Sequence, residues 1–242
     1  MVNNGRSVIL IMLLVGLAAG LLNNQFVIPV TGNPDQPVYH GVRGLNNISL
    51  TFNVDWGSEF LPVILEILEA RGVKVTFFVT GAWASNNRQL IRDIVCAGHN
   101  LGNHGFQHRH PRQLSNQDLR ELILDNQELL YKISGIKTAL FSPPYGEIDD
   151  RICRVAAGIG YRTIMWSVDT IDWQRPEPAA IIKRVEAQID DGGIILMHPT
   201  RPTVQALPAI IDKLRARGYN FVTITQLVKG SGNHEDKDQE NG

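Results

Sequence analysis

The chain has no excess of charge of either sign, because 23 Lys and Arg residues are offset by 24 Asp and Glu residues. A protein that binds nucleic acid normally carries a basic face, and here Lys and Arg are scattered, so nucleic acid is excluded as a partner. The sequence also has only two cysteines, Cys96 and Cys153, each in a predicted helix among apolar neighbours. We expect two buried thiols rather than a disulfide scaffold, with a single bridge as the alternative.

One long apolar run occurs near the N-terminus, where Arg6 is followed by the uncharged residues 8–22. At about 1.5 Å per residue this run spans roughly 22 Å, less than the ~30 Å hydrocarbon core of a bilayer. A basic residue before such a run is typical of an export signal. We therefore predict a cleaved signal or an uncleaved membrane anchor within residues 1–30, and in either case an extracytoplasmic location.

The remaining chain divides into a polar linker at 31–46, one large domain at 47–229 and a polar tail at 230–242, which its composition predicts to be disordered. Within the domain, short apolar runs alternate with helical patterns. The predicted strands are 47–54, 73–80, 100–104, 138–142, 161–167, 193–198 and 220–224. The predicted helices are 59–71, 86–97, 116–133, 149–158, 178–190, 204–217 and 224–229.

This alternation predicts an α/β fold with a parallel sheet covered by helices. Seven units in so short a domain favour a barrel or a nearly closed one over an open, doubly wound sheet. No glycine-rich phosphate loop follows the first strand, which argues against the dinucleotide-binding version of such a sheet.

Polar residues that could take part in catalysis or metal binding follow the ends of the predicted strands. In α/β barrels the catalytic groups lie at the carboxyl ends of the strands, so we expect these side chains to converge at one mouth. They are Asn53, Asp55, His104, His108, Tyr145, Asp169, Asp172 and His198.

A metal site is predicted from the segment "NHGFQH" at 103–108. His104 and His108 can aim at a common point if the chain between them forms a helical turn, which Gly105 permits. Zn²⁺ accepts two such imidazoles together with a carboxylate, for which Asp55 is the natural candidate. Co²⁺, Mn²⁺ or Ni²⁺ would suit the same ligands. We expect the other two nearby histidines, His99 and His110, at the surface or behind the ligands.

Five segments resemble, in order, the motifs of the polysaccharide deacetylases of the NodB-homology type, which are carbohydrate esterases. They are "TFNVDWG", "NHGFQH", "FSPPYG", "DTIDW" and "LMH", and the resemblance covers roughly residues 46–228. It implies a distorted (β/α)₇ barrel and a metal-dependent hydrolase that removes N-acetyl groups from N-acetylglucosamine-type units in peptidoglycan or a chitin-like glycan. The family includes sporulation-associated wall enzymes with a similar anchor. We expect a monomer.

The resemblance also implies a role for each matching residue. His104 and His108 would bind the metal, the backbone of Tyr145 would contact the oxyanion, and His198 would protonate the leaving amine. Asp169 or Asp172 would hydrogen-bond the imidazole of His198. The residues implied to contact the substrate are Trp56, Pro144, Tyr145 and Trp173.

Two positions depart from the family's pattern. Asn53 replaces the first carboxylate of the first motif, and Ser142 replaces the arginine that orients it. Three interpretations remain open. Asp55 could serve as the base while the histidines and waters hold the metal, or Asp55 could be a ligand while Glu147 serves as the base. The third is a glycan-binding protein that turns over slowly or not at all.

Overall fold

The computed structural model describes residues 33–229. The predicted apolar segment at 8–22 and the predicted polar tail from residue 230 lie outside the described residues. Between residues 33 and 229, no helix combines the length and the apolar character that crossing a membrane requires.

Eight strands form one sheet in which every pairing between neighbouring strands is parallel. The strand order is β5-β4-β3-β2-β1-β7-β6, with β8 beside β1. The long central strand β1 is buried along almost its whole length, so its apolar side chains face both the barrel interior and the covering helices. The strands are β1 Asn47–Val54, β2 Thr76–Val79, β3 Asn100–Asn103, β4 Leu140–Phe141, β5 Arg162–Thr163, β6 Val168–Asp169, β7 Ile194–Met197 and β8 Asn220–Phe221.

Eight α-helices of the described chain accompany the strands. Their boundaries follow local signals: the longest helix starts where the Ser115 side chain accepts a hydrogen bond from the Asp118 N–H and stops at the left-handed Gly135. The helices are α1 Leu61–Ala70, α2 Gly81–Asn86, α3 Arg88–Cys96, α4 Asn116–Ser134, α5 Asp150–Ala157, α6 Pro178–Gln188, α7 Arg201–Ala216 and α8 Ile224–Lys229.

The predicted barrel is confirmed, with one difference in the sheet. The run at 161–167 was predicted as one strand, but it contributes to β5 and then turns away before β6. The reason is that its middle pairs with a segment from before the barrel. The Val38 N–H donates to the Thr163 carbonyl at 2.9 Å, and the Met165 N–H donates to the Val38 carbonyl at 2.8 Å.

Residues 37–42, the N-terminal strap, thus join the barrel wall although the sequence predicted a linker there. Val38 forms a parallel bridge with Ile164, and His40 forms an antiparallel bridge with Gly193. These contacts lie at the open side of the sheet, where β5 and β6 do not pair with one another. The strap therefore fills the gap in the wall.

The cysteines differ from the expectation in one respect. Both are free thiols, so the alternative of a bridge is wrong. Cys153 is buried as expected, whereas Cys96 is exposed at the end of α3. Cys96 belongs to the last turn of an amphipathic helix, where the apolar neighbours in sequence do not share its face.

His99 gives the domain a predictable sensitivity to acid. It is only 6% exposed, and its Nδ1 accepts a hydrogen bond from the Val75 N–H at 3.2 Å. Burial, and secondarily the charge of Lys74, lowers the pKa of His99 to about 4. The unfolded chain binds this proton below about 6.5, whereas the folded chain binds it only near 4, so stability falls as the pH drops through this window. We expect a loss of about 2 kcal/mol between neutral pH and pH 5 from this residue.

Urea unfolding at pH 7.5 and pH 5.0 would measure this loss. The variant His99→Asn keeps an acceptor for the Val75 N–H but cannot bind a proton at this position. Its free energy of unfolding should therefore fall by about 2 kcal/mol less than that of the wild-type protein between pH 7.5 and pH 5.0. An equal loss in the wild-type protein and in the variant would contradict the assignment to His99.

Candidate active site

A cleft of about 470 Å³ opens at the carboxyl ends of the strands. It is formed by the segments that follow β1, β3, β4, β5, β6 and β7, because parallel strands deliver their carboxyl ends to the same rim. The structure brings most of the predicted site residues together here. The predicted residues that line the cleft are Asn53, Asp55, Trp56, His104, His108, Tyr145, Asp169, Trp173 and His198.

His104 is held in one orientation at the base of the cleft. Its ring is 2% exposed, and Nδ1 lies 2.6 Å from the carbonyl oxygen of Ser142. Since a carbonyl can only accept, Nδ1 carries the proton and Nε2 keeps a free lone pair. Burial, followed by the charge of His108, lowers the pKa of His104 to about 3. His104 is therefore a neutral imidazole with a nitrogen available for a ligand.

His108 lies next to His104, with their ring centroids 5.1 Å apart. The predicted helical turn between them is wrong: Gly105 is left-handed, with φ 80°, and its N–H donates to the Asn103 side chain at 2.8 Å. This bend reverses the chain while still bringing the two imidazoles together. Burial lowers the pKa of His108, against the opposing effect of the Asp55 carboxylate.

Asp55 follows β1 and faces the two histidines across the cleft. Its Oδ1 accepts a hydrogen bond from the hydroxyl of the buried Thr80 at 2.7 Å. This bond fixes the carboxylate while leaving the second oxygen uncommitted. No group of three or more His, Cys, Asp and Glu side chains in the region 33–229 already encloses a metal position. The two imidazoles and one carboxylate are nevertheless a donor set of the type that Zn²⁺ accepts.

His198 and Asp172 form a hydrogen-bonded pair on the opposite wall. The Nδ1 of His198 lies 2.8 Å from Asp172 Oδ1, and the His198 backbone N–H donates to Oδ2 at 2.6 Å. Asp172 is completely buried and also accepts a hydrogen bond from the Thr203 hydroxyl at 2.5 Å. Asp169 instead accepts from the Ile171 N–H at 2.8 Å. Of the two candidates, Asp172 is therefore the partner of His198.

The two departures from the family pattern lie in contact. Asn53 Nδ2 donates to the Ser142 hydroxyl at 3.3 Å, and the two residues are 5% and 2% exposed. Asn53 Oδ1 is buried and has no hydrogen-bond partner within the described part of the chain. The replacements are thus structurally coupled, and they leave an amide where the resemblance implies a carboxylate.

Glu147 does not lie where a base would be needed, so its assignment as the base is corrected. It is absent from the lining of the cleft, and its two oxygens contact His110 Nδ1 at 2.8 Å and the Arg112 N–H at 3.1 Å. Burial opposes ionisation, but these hydrogen bonds outweigh it and lower the pKa of Glu147 below its usual value. A carboxylate with a lowered pKa and two occupied oxygens is a poor base.

Two further findings change the predicted substrate contacts. Pro144 is buried and does not line the cleft, so its assignment to the substrate is also corrected. Trp166, which the sequence placed in a strand, lines the cleft instead. A Cβ atom at Gly146 would lie 2.6 Å from the Trp166 ring, so glycine is required for this close approach. Only the turn before β6, which the sequence pattern did not reveal, exposes this ring.

The chain shows clear similarity to proteins of known sequence. A family model described as polysaccharide deacetylase matches residues 41–164. The uncharacterized protein YlxY of Bacillus subtilis is 38% identical over 81% of this chain and 59% of its own length. The peptidoglycan-N-acetylglucosamine deacetylase PgdA of Listeria monocytogenes is 36% identical over 74% of this chain and 38% of its own length. The chain thus spans less than two thirds of either relative.

Among solved structures, BA3943 of Bacillus anthracis, described as a CE4 family pseudoenzyme, is 40% identical with a TM-score of 0.79. The alignment covers 81% of this chain and 70% of that one. A BA3943 mutant, described as having restored enzymatic activity, gives the same TM-score at 38% identity and covers 81% of this chain and 72% of the mutant. Together, the sequence match, the barrel and the order of the motifs show that this chain belongs to the polysaccharide deacetylase family.

Proposed function

We propose that the chain is an exported, metal-dependent N-deacetylase that hydrolyses N-acetyl groups of N-acetylglucosamine-type units in peptidoglycan or a chitin-like glycan. One observation carries the proposal: the neutral His104 and His108 with Asp55 share a single cleft with the His198–Asp172 pair. Export is supported by the apolar run at 8–22, which as an uncleaved anchor would also bring the protein to the membrane.

A divalent metal would be held by His104 and His108, with Asp55 or water completing its coordination. The free Nε2 of His104 and the lowered pKa values of both imidazoles fit this role, because a metal binds the neutral ring. When bound, such an ion polarises the acetamide carbonyl and lowers the pKa of a water molecule. Zn²⁺ suits these donors best, and Co²⁺, Mn²⁺ and Ni²⁺ suit them as well.

Proton transfer to the leaving amine is assigned to His198. Its Nδ1–H is bound to Asp172, so Nε2 is the nitrogen free to donate towards the substrate. The buried carboxylate stabilises the positive charge of the protonated ring and fixes its orientation. The ring of Trp56 lies parallel to that of His198, at 6.1 Å between centroids, and limits access of water to this side.

Removal of the proton from water is assigned to Asp55. Asn53 cannot accept a proton at neutral pH, and Glu147 is engaged outside the cleft. The Thr80 hydroxyl occupies one oxygen of Asp55, which leaves the other for water. In this arrangement the two histidines and water molecules would hold the metal.

The rim supports binding of a sugar chain. Trp56, Trp173 and Tyr145 are 38%, 51% and 55% exposed, although large aromatic side chains are usually buried. The flat apolar faces of the two tryptophans can stack against pyranose rings. The ring of Tyr145 packs on His110, and the backbone N–H of Tyr145 is assigned to the oxyanion.

A second function is favoured by the Asn53–Ser142 pair. With an amide in place of the carboxylate, the cleft would still bind an acetylated glycan but turn it over slowly. Loss of a general base typically lowers a rate by about 10²–10⁴-fold, so such a protein would act mainly through binding.

Acetate release separates the two functions. The full chain is incubated with N-acetylglucosamine oligomers and with peptidoglycan fragments, and acetate is quantified with chelator, without chelator, and after Zn²⁺ is restored. We expect release that the chelator abolishes and Zn²⁺ recovers. The matched control is the double variant His104→Ala/His108→Ala, which should neither release acetate nor respond to Zn²⁺.

If no acetate is released, isothermal titration calorimetry with the same oligomers determines whether the protein still binds glycan. Metal-loaded protein that binds glycan but releases no acetate from any substrate would overturn the enzyme and leave the binding protein. Release that persists fully in the chelator would contradict the role of the metal.

A further inference from the structure

His110 contacts the rim of the cleft although it is outside the His-x₃-His pair. Its ring lies flat against the ring of Tyr145, with centroids 3.9 Å apart and an angle of 6° between the planes. On another side, Tyr145 meets His108 edge to face at 4.3 Å. The Tyr145 ring is therefore in contact with two histidines of the segment after β3.

Glu147 holds His110 in this position. Its Oε1 lies 2.8 Å from His110 Nδ1, and its Oε2 accepts the Arg112 N–H at 3.1 Å. The Arg112 guanidinium donates to the Ile148 carbonyl at 2.8 Å. These bonds tie the segment after β3 to the segment after β4 directly beside the cleft.

Tyr145 needs such support because of its backbone. Its φ of 58° is left-handed, and Gly146 follows with a φ of 64°. A bulky residue in this region is strained, and the conformation persists only where the surroundings enforce it. The hydrogen bonds of the turn itself are the Gly146 N–H to the Pro143 carbonyl at 3.1 Å and the Glu147 N–H to the Pro144 carbonyl at 3.2 Å.

We propose that His110 and Glu147 are positioning residues that hold Tyr145, its ring against His108 and its backbone in the left-handed turn. Neither residue lines the cleft, and both act through Tyr145. Only the expected effect on catalysis rests on the proposed function. The stabilisation of the turn at Tyr145 does not depend on whether the protein hydrolyses glycan. The His110 ring contacts Tyr145 by stacking, and the Glu147 carboxylate keeps the His110 ring parallel to the Tyr145 ring.

Hydrogen–deuterium exchange of the Gly146 and Glu147 amides tests the hold on the turn. In His110→Ala we expect these amides to exchange about tenfold faster, because a lost aromatic pair lets the turn open more often. His110→Phe keeps a flat ring but loses the bond to Glu147, so it should restore only part of the protection. The matched control is His40→Ala, because His40 also pairs with a carboxylate, that of Asp190 at 3.3 Å, but far from the cleft.

Kinetics of acetate release give the second readout. In His110→Ala we expect kcat to fall about tenfold with little change in KM, since residues that orient functional groups typically contribute 10–100-fold. His110→Phe should recover part of this loss, because it keeps the stacked ring but not the bond to Glu147. Unchanged exchange in His110→Ala, or equal damage in His110→Phe and His110→Ala, would overturn the proposal. Faster exchange in His110→Ala with no acetate release even by the wild-type protein would uphold the positioning role and refute the proposed function.

Discussion

Replacing Asn53 by Asp together with Ser142 by Arg is expected to raise kcat/KM for acetate release. The gain is about 10²–10⁴-fold, the usual contribution of a general base, if no base acts in the present cleft, and it is smaller if Asp55 already serves as the base. Asn53 lines the cleft, and its Oδ1 has no hydrogen-bond partner in the described chain, so a carboxylate oxygen at this place would be free to accept a proton from water. The arginine is needed because a lone carboxyl buried to this extent prefers its neutral form. Position 142 already contacts position 53.

Acetate assays on the double variant and on each single variant would measure this gain. We expect Asn53→Asp alone to gain less than the pair, and Ser142→Arg alone to gain nothing. As a control, adding His198→Ala to the double variant should remove the increase, since the acid is still required. A correctly folded double variant with unchanged kcat/KM would show that the amide at position 53 is not what limits the rate.

Asp172→Asn is expected to lower kcat by about 10²–10⁴-fold, the range for removing acid–base assistance. The buried carboxylate accepts hydrogen bonds from both the ring and the backbone of His198. An amide at this place would turn a donor towards His198 Nδ1, which destabilises the protonated ring that must deliver the proton. The loss should appear in kcat rather than in the affinity for glycan.

The control is Asp190→Asn, which removes a carboxylate from a His–Asp pair outside the cleft and should leave kcat unchanged. Thermal unfolding of both variants checks that the fold survives. If Asp172→Asn does not fold, His198→Gln tests the same role, because its ring is partly exposed and its loss leaves Asp172 bound to Thr203. A normal kcat in either folded variant would refute the assignment of the acid.

The parts of the fold that could be predicted are those encoded by local patterns. The strand predicted at 47–54 coincides with β1, and the helix predicted at 116–133 differs from α4 by one residue. The convergence of Asp55, His104 and His198 also followed from sequence, because all three come just after strands that run in the same direction. Neither conclusion required knowledge of a distant contact.

The parts that could not be predicted depend on contacts between distant segments. The break between β5 and β6 arises because Val38, more than a hundred residues earlier, pairs with this backbone. The stack of His110 on Tyr145 joins two loops, and nothing in either loop's own sequence predicts it. The interpretation of Glu147 as a base was wrong because its sequence position places it near a motif but does not determine the direction of its side chain.

The N-terminal strap sets the minimum length of an autonomously folding unit. The open side of the wall, between β5 and β6, is filled by Val38 and His40, which precede the first strand. A fragment that started at Asn47 would contain every motif and every strand, yet it would expose unpaired backbone along that seam. Truncations intended for crystallisation or engineering should therefore begin before Pro37, ten residues upstream of the first strand.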